Sequence, residues 1–323
     1  MSKDYQMQLP LVSVVMPAFN AAATLIDAVN SVLSQSMGDL ELIICNDAST
    51  DDTRRILSTI TDGRVKIIHN DLNMGEGSAR EHAIQEATGS WIAVIDADDT
   101  WGVERLSVLL ESADVSEKAM IFDDIMECHD TPSGLVPWHP MRGQNAFGGN
   151  GHDPVVVPIA DFVCSKRLLI KPLMPRGHLR QCHITHSNRS FGADTEYFLS
   201  LMANGFSLRF VPQPLYNYRI TPGSASGNRN RNTLLRAVLE NAADQFAHDP
   251  GVQAALRNKI AMVARDEDYM PFVWALKQGH LLKSLQLAFR SPWLVSEFVR
   301  NLPKSIYYNM HRLFHHGRVR GIQ

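Results

Sequence analysis

Residues 11–20 read LVSVVMPAFN, a β-rich apolar run that breaks at Pro17 into a short polar loop. From 21 to 35 the apolar positions recur at helical spacing, so the chain opens as strand, loop, helix. The unit then repeats. LELIIC (40–45) is a strand, 46–50 a polar loop, and Asp51-Asp52-Thr53 opens a helix to residue 61, its acids at the positive end of the helix dipole. A third strand is predicted over 65–69, a helix over 78–87 stopped by Gly89, and a fourth strand at 91–95 (WIAVI). Apolar strands alternating with helices imply an α/β fold: a mostly parallel sheet, helices on both faces, and ligands bound beyond the carboxyl ends of the strands.

The rest is less regular. Residues 121–161 are rich in Gly, Pro and His and predict long loops with short strands. A helix follows over 194–204, ended by Gly205, then a strand over 208–211 and a turn-rich stretch over 212–227. Beyond it helices dominate, punctuated by Pro250, Pro271, Pro292 and Pro303. Two parts are expected, 1–225 and a C-terminal helical region, 226–323.

The composition is that of a folded enzyme: 323 residues, 45% hydrophobic and 20% charged. No apolar run approaches the roughly 18–20 residues that cross a bilayer, and MSKDYQMQLP lacks the pattern of a signal peptide, so a cytoplasmic location is expected. Cys45, Cys128, Cys164 and Cys182 are scattered without CxxC spacing, which points away from zinc ribbons and disulfide frameworks. Net charge is -3, but residues 1–225 hold 17 Lys/Arg against 27 Asp/Glu, and residues 226–323 hold 14 against 7. An acidic body argues against a nucleic-acid partner. From Lys277 onward, eight Lys/Arg, one acid (Glu297) and interleaved apolar residues suit an anionic membrane surface, or equally a packed appendage with a solvated basic face.

Asp96-Ala97-Asp98-Asp99 follows the fourth strand directly. Three carboxylates in four residues repel one another, and a hard divalent cation with oxygen ligands, Mg²⁺ or Mn²⁺, relieves the repulsion; a helix N-terminus is the competing account. Asp47, at the end of the second strand, is placed to accept the imide N–H of a uracil, or to act as a turn residue. Phe19 can stack on a base or simply pack. Gly75-Glu76-Gly77-Ser78-Ala79-Arg80 misses the third glycine of a dinucleotide fingerprint and follows the wrong strand, but its glycines permit close approach to a ligand within reach of Arg80. No P-loop motif is present. Cys182, His183 and His186 lack a convincing fourth ligand and are read as structural.

VSVVMPAFNAAATL (12–25), ELIICNDASTDDT (41–53), NMGEGSAR (73–80), GSWIAVIDADD (89–99), and FGADTEY (191–197) leading through FLSLMANGF to PLYNYRITPGSAS (214–226) occur in one order. Together they resemble the inverting nucleotide-sugar glycosyltransferases of family 2, over residues 10–225. The resemblance implies a GT-A (Rossmann-like) fold with Pro17, Phe19 and Asn20 flooring the nucleotide site, Asp47 reading the base, and Arg219 in a loop that folds over the diphosphate, while Arg80, by its own loop, can reach a phosphate or a base. It makes Asp96 a ribose or sugar contact, Asp98 the metal ligand with Asp99 in support, and Asp194 the catalytic base. Where the family usually has Glu-Asp this chain has Ala193-Asp194, which leaves Glu196 as a competitor for the base, and Arg219 can instead hold a structural salt bridge.

The implied reaction is transfer of one sugar from a UDP-sugar to a hydroxyl of a saccharide or lipid-linked saccharide in bacterial surface-polysaccharide assembly, at the inner face of the plasma membrane. Neither the Q-x-x-R-W motif nor the membrane spans of processive synthases are present. Two other classes stay open. A nucleotidyltransferase would carry a Gly-rich basic triphosphate loop where this chain has PAFNAAAT, and a non-catalytic nucleotide-sugar-binding protein is conceivable because of Ala193.

Overall fold

The computed structural model describes residues 9–131, 134–149, 153–189, 191–220, 231–296 and 298–300. In chain order the elements are β1 (Val12–Ala18), α1 (Leu25–Leu33), β2 (Leu40–Asn46), α2 (Thr53–Leu57), β3 (Val65–His69), α3 (Glu76–Gln85) and β4 (Trp91–Val94). There follow β5 (Thr100–Trp101), α4 (Arg105–Glu111), β6 (Ala119–Thr131), β7 (Gly134–Pro140), β8 (Val155–Val157), α5 (Ile159–Cys164) and β9 (Leu173–Pro175). The last are α6 (Arg176–Cys182), α7 (Ala193–Ala203), β10 (Ser207–Arg219), α8 (Arg231–Gln245), α9 (Pro250–Lys277) and α10 (Leu281–Arg290). The chain forms two compact units, Met1–Ile260 and Ala261–Gln323. The boundary expected at 225/226 lies outside the described residues.

One mixed sheet organises the first unit, in the order β3-β2-β1-β4-β9-β6-β10-β5, with β7 beside β6 and β8 beside β10. The β3-β2-β1-β4 half is parallel, as the apolar strands predicted. Beyond it β9 is antiparallel to both β4 and β6, while β6 and β10 are parallel to each other. β1 is buried along its whole length, and its side chains join those of α1, α4 and β4 in the core. Pro17 sits where β1 has outrun β4, past the last β1–β4 pair at Val15–Val94, so its missing N–H costs no bond there.

Three expectations are corrected. Residues 119–140 are a thirteen-residue strand and its hairpin partner rather than long loops with short strands. The polar residues of β6 that break an apolar reading each have a partner: Asp123 pairs with Arg105, Asp124 accepts the Arg142 and Gly143 N–H groups, and Glu127 meets Arg167 and His139. β10 likewise runs through Pro212 and Pro214, because shifts in its register against β6 absorb both prolines. Pro271 lies inside α9 and does not end it. Pro303 and most of the basic tail lie outside the described residues.

Gly89 fixes how closely the turn into β4 approaches β1. A Cβ there would stand 2.7 Å from the Ser13 N and 2.8 Å from the Ser13 Oγ. The Gly89 N–H donates to that Oγ at 2.8 Å, and Ser13 donates in turn to Glu41, which also accepts from Thr88. Gly89→Ala is therefore expected to cost about 1–3 kcal/mol of stability. Gly63→Ala, where nothing lies within 4 Å, should be close to neutral; thermal unfolding of the two variants checks both.

Candidate active site

The strand ends of β1, β2 and β4 open on one group of loops, and side chains of one loop hold the next. After β1, Asn20 adopts φ +50°, and its Oδ1 accepts the Thr50 and Asp51 N–H groups at 2.8 and 3.3 Å, lacing the first loop to the second. Phe19 beside it is 49% exposed, its ring open to a flat ligand. After β2, Asp47 is buried and accepts from Asn70 Nδ2 (2.8 Å), Met74 N (2.9 Å) and Gly75 N (2.8 Å). Its carboxylate thus holds the loop that launches α3.

Arg80 projects from α3 and is 1% exposed. Its guanidinium pairs with Glu76, with Asp96 at 2.9 Å, and with Asp194. Lys171, 2% exposed, meets the same two aspartates from the other side, 2.5 Å from Asp96 Oδ2 and 3.1 Å from Asp194 Oδ2. Two buried cations therefore bridge the end of β4 and the first turn of α7. Burial works against ionisation of Asp194, but Arg80 and then Lys171 override it and hold the carboxyl well below the usual range. The two cations are themselves held protonated, the acids outweighing their desolvation.

The three acids after β4 have different fates. Asp96 is taken by Arg80 and Lys171. Asp99 is fully buried, accepting the Tyr216 hydroxyl at 2.7 Å and the Arg219 N–H at 2.8 Å, so it ties the loop to β10. Asp98 has no side-chain donor among the described residues, and burial, then the charge of Asp96, push its carboxyl up to about 6. One oxygen from each of the three lies within 4.8 Å of the others. Arg219 donates through Nε to the Asp98 carbonyl at 2.7 Å and pairs with Asp130 and, at 3.3 Å, with Asp27. Its described contacts are those of a structural clamp.

Glu196 is separated from this group. It accepts from Ser187 and, at 2.9 Å, from Arg189; burial pushes it up, but those hydrogen bonds prevail and hold it below its ordinary value. His186 is stacked on Tyr197 with ring centroids 3.7 Å apart, and His183 caps α6 in the left-handed region. Neither belongs to a group of metal-ligating side chains among the described residues. Lys171 is the residue that sequence reasoning missed. Its signal was a lone lysine inside the apolar run LLIKPLM (168–174), a position lysine occupies only when paired.

The family model for glycosyl transferase family 2 matches residues 13–164. The chain is 37% identical over 320 residues to the succinoglycan biosynthesis protein ExoO of Rhizobium meliloti, covering 95% of this chain and 88% of that one. It is 40% identical over 241 residues to WfaP of Escherichia coli, a UDP-Glc:alpha-D-GlcNAc-diphosphoundecaprenol beta-1,3-glucosyltransferase, covering 74% of this chain and 89% of that one. Among solved structures, residues 1–349 of Staphylococcus aureus TarS superpose with a TM-score of 0.62 at 16% identity, covering 85% of this chain and 79% of that one, a likeness of fold.

Removing Lys171 leaves Glu76, Asp96 and Asp194 to share Arg80 alone. Lys171→Met is expected to cost about 3 kcal/mol in urea unfolding, and Lys171→Arg much less. Because the Asp194 carboxyl is lowered in the folded state, its contribution is present above the unfolded value of about 4 and is lost as pH falls below it. The acid-unfolding midpoint of Lys171→Met should accordingly lie at higher pH than that of the parent protein.

Proposed function

The chain belongs to glycosyl transferase family 2, and on that footing we propose a metal-dependent, inverting transfer of one sugar from a UDP-sugar to a hydroxyl of a saccharide or lipid-linked saccharide in bacterial surface-polysaccharide assembly. The observation that carries this reading is the pairing of two unlike carboxylates beyond the strand ends. Asp98 makes no ion pair among the described residues, whereas Asp194 is held ionised by Arg80 and Lys171. The name of WfaP supports the choice of UDP donor and lipid-linked acceptor.

Asp98 offers a hard oxygen donor that is penalised as an anion until a cation arrives, and its neighbours are carboxylates as well, so these residues fit Mg²⁺ or Mn²⁺. Asp98 would hold the ion, with Asp99 fixing the loop through Tyr216 and Arg219. When bound, the ion supplies positive charge against the departing diphosphate. Asp194 takes the proton of the attacking hydroxyl as the new bond to the anomeric carbon forms and the bond to the leaving diphosphate breaks on the opposite face. A carboxylate this weakly basic accepts a proton only as attack acidifies the hydroxyl, so transfer and deprotonation are concerted. Pro17, Phe19 and Asn20 floor the nucleotide site, with Phe19 stacking on the base. Asp47 shapes that pocket through the loop it holds, Arg80 and Asp96 set the position of Asp194, and Arg219 secures the Asp98 loop.

No helix among the described residues is long and apolar enough to cross a membrane. The C-terminal region, with 14 Lys/Arg against 7 Asp/Glu over 226–323, suits contact with a lipid-linked acceptor at the inner face of the plasma membrane.

Calorimetric titration with UDP tests the donor site: binding should require Mn²⁺ or Mg²⁺ and disappear in Asp98→Ala. In a screen of UDP-sugars, Asp194→Asn should keep UDP binding and lose transfer by about 10²–10⁴-fold. Undiminished transfer by Asp194→Asn would remove Asp194 as the base, and metal-independent UDP binding would remove the metal.

A further inference from the structure

Helix α10 exposes an apolar arc. At about 100° per residue, Leu281, Leu285, Phe289 and Leu282 fall within one arc of the helix. They are 66, 58, 87 and 81% exposed. The buried position is instead Ser284, whose hydroxyl turns back onto the His280 carbonyl at 3.0 Å. Lys283 and Arg290 lie about two turns apart along one side of the helix, roughly 80–100° beyond Leu282, and the helix, LLKSLQLAFR, holds no acid. α1 shows the ordinary arrangement, burying Leu25, Ala28, Val29 and Val32.

An exposed apolar arc of this size calls for a partner, and charge decides which kind. From residue 277 to the end there are eight Lys/Arg against the single Glu297. A second copy docked arc to arc would bring basic edges together with almost nothing to offset them. An anionic bilayer supplies hydrocarbon for the leucines and phenylalanine and phosphate for the lysine and arginine.

We propose that α10 is an interfacial anchor, with Leu281, Leu282, Leu285 and Phe289 entering the acyl boundary of an anionic lipid surface and Lys283 and Arg290 pairing with its phosphates. This names the residues of the membrane contact set out above and rests on that reading. Residues 1–225, which hold 27 acids against 17 bases, are repelled by the same surface, so attachment falls to the basic end of the chain.

The test is co-sedimentation of the full chain with vesicles of phosphatidylcholine alone and of phosphatidylcholine mixed with phosphatidylglycerol, at low and high salt. Binding is expected to the anionic vesicles, weakened by salt. The double variant Leu282→Glu/Phe289→Glu should bind them about tenfold or more weakly with unchanged thermal unfolding, and Lys283→Glu/Arg290→Glu should lose the preference for anionic lipid. A Leu282→Glu/Phe289→Glu variant that sediments like its parent overturns the role of α10 while leaving the membrane reading intact through other C-terminal residues. A parent that binds neither vesicle overturns both. If light scattering shows a parent dimer that this variant dissolves, the arc belongs to a second copy and the lipid assignment fails.

Discussion

Two buried cations, Arg80 and Lys171, are held by two partly exposed carboxylates, Asp96 and Asp194. An unpaired charge at that depth costs several kcal/mol, so Arg80 and Lys171 are admissible only because Asp96 and Asp194 meet them, and the aspartates are fixed by the same bargain. Much of the first unit serves to deliver these four groups. Asp47 anchors the loop that launches α3. Gly77 lets that helix lie against the 186–188 segment, since a Cβ there would overlap the Ser187 carbonyl oxygen. β9, turned antiparallel between β4 and β6, pairs Leu173 with Ala93 and so brings Lys171 beside the residues that follow β4.

A second constraint separates Asp98 from its neighbours. Asp99 is fully engaged by Tyr216 and the Arg219 N–H, and Arg219 also grips the Asp98 carbonyl, so the backbone of the loop is fixed from β10 while the Asp98 side chain makes no ion pair among the described residues. One short acidic run thus contributes a charge already neutralised, a charge in need of a cation, and a structural link between two strands. The repulsion evident from spacing alone is settled by a different partner for each residue.

This explains what could be read in advance. The parallel half of the sheet, the strand-end loops and the acidic run were legible because burial on both faces leaves a continuous apolar signature, and because three neighbouring acids are conspicuous in any chain. The roles of Arg80, Asp47 and Arg219 were less so. Sequence shows the reach of a side chain but not what it meets: Arg80 lies among carboxylates, and Asp47 lies under the loop that launches α3. β6 was illegible for the same reason, since Asp123, Asp124 and Glu127 look like loop residues until Arg105, Arg142 and Arg167 are brought to them from elsewhere in the chain. Arg105 lies 4.4 Å above the Trp101 ring as well, a contact that no local pattern announces.

Helical periodicity has the complementary weakness. α1 and α10 both alternate apolar and polar residues at helical spacing, yet one buries its apolar side and the other buries Ser284. The pattern states that a helix has two faces and is silent on which one the chain covers. Burial supplies the missing sign. Once the sign is known, the charge around the arc narrows the partner, because a surface rich in lysine and arginine repels its own copy and attracts phosphate. For a transferase with a relative named for a lipid-diphosphate acceptor, the apolar arc that α10 exposes among basic residues is the feature on which the proposed membrane contact rests.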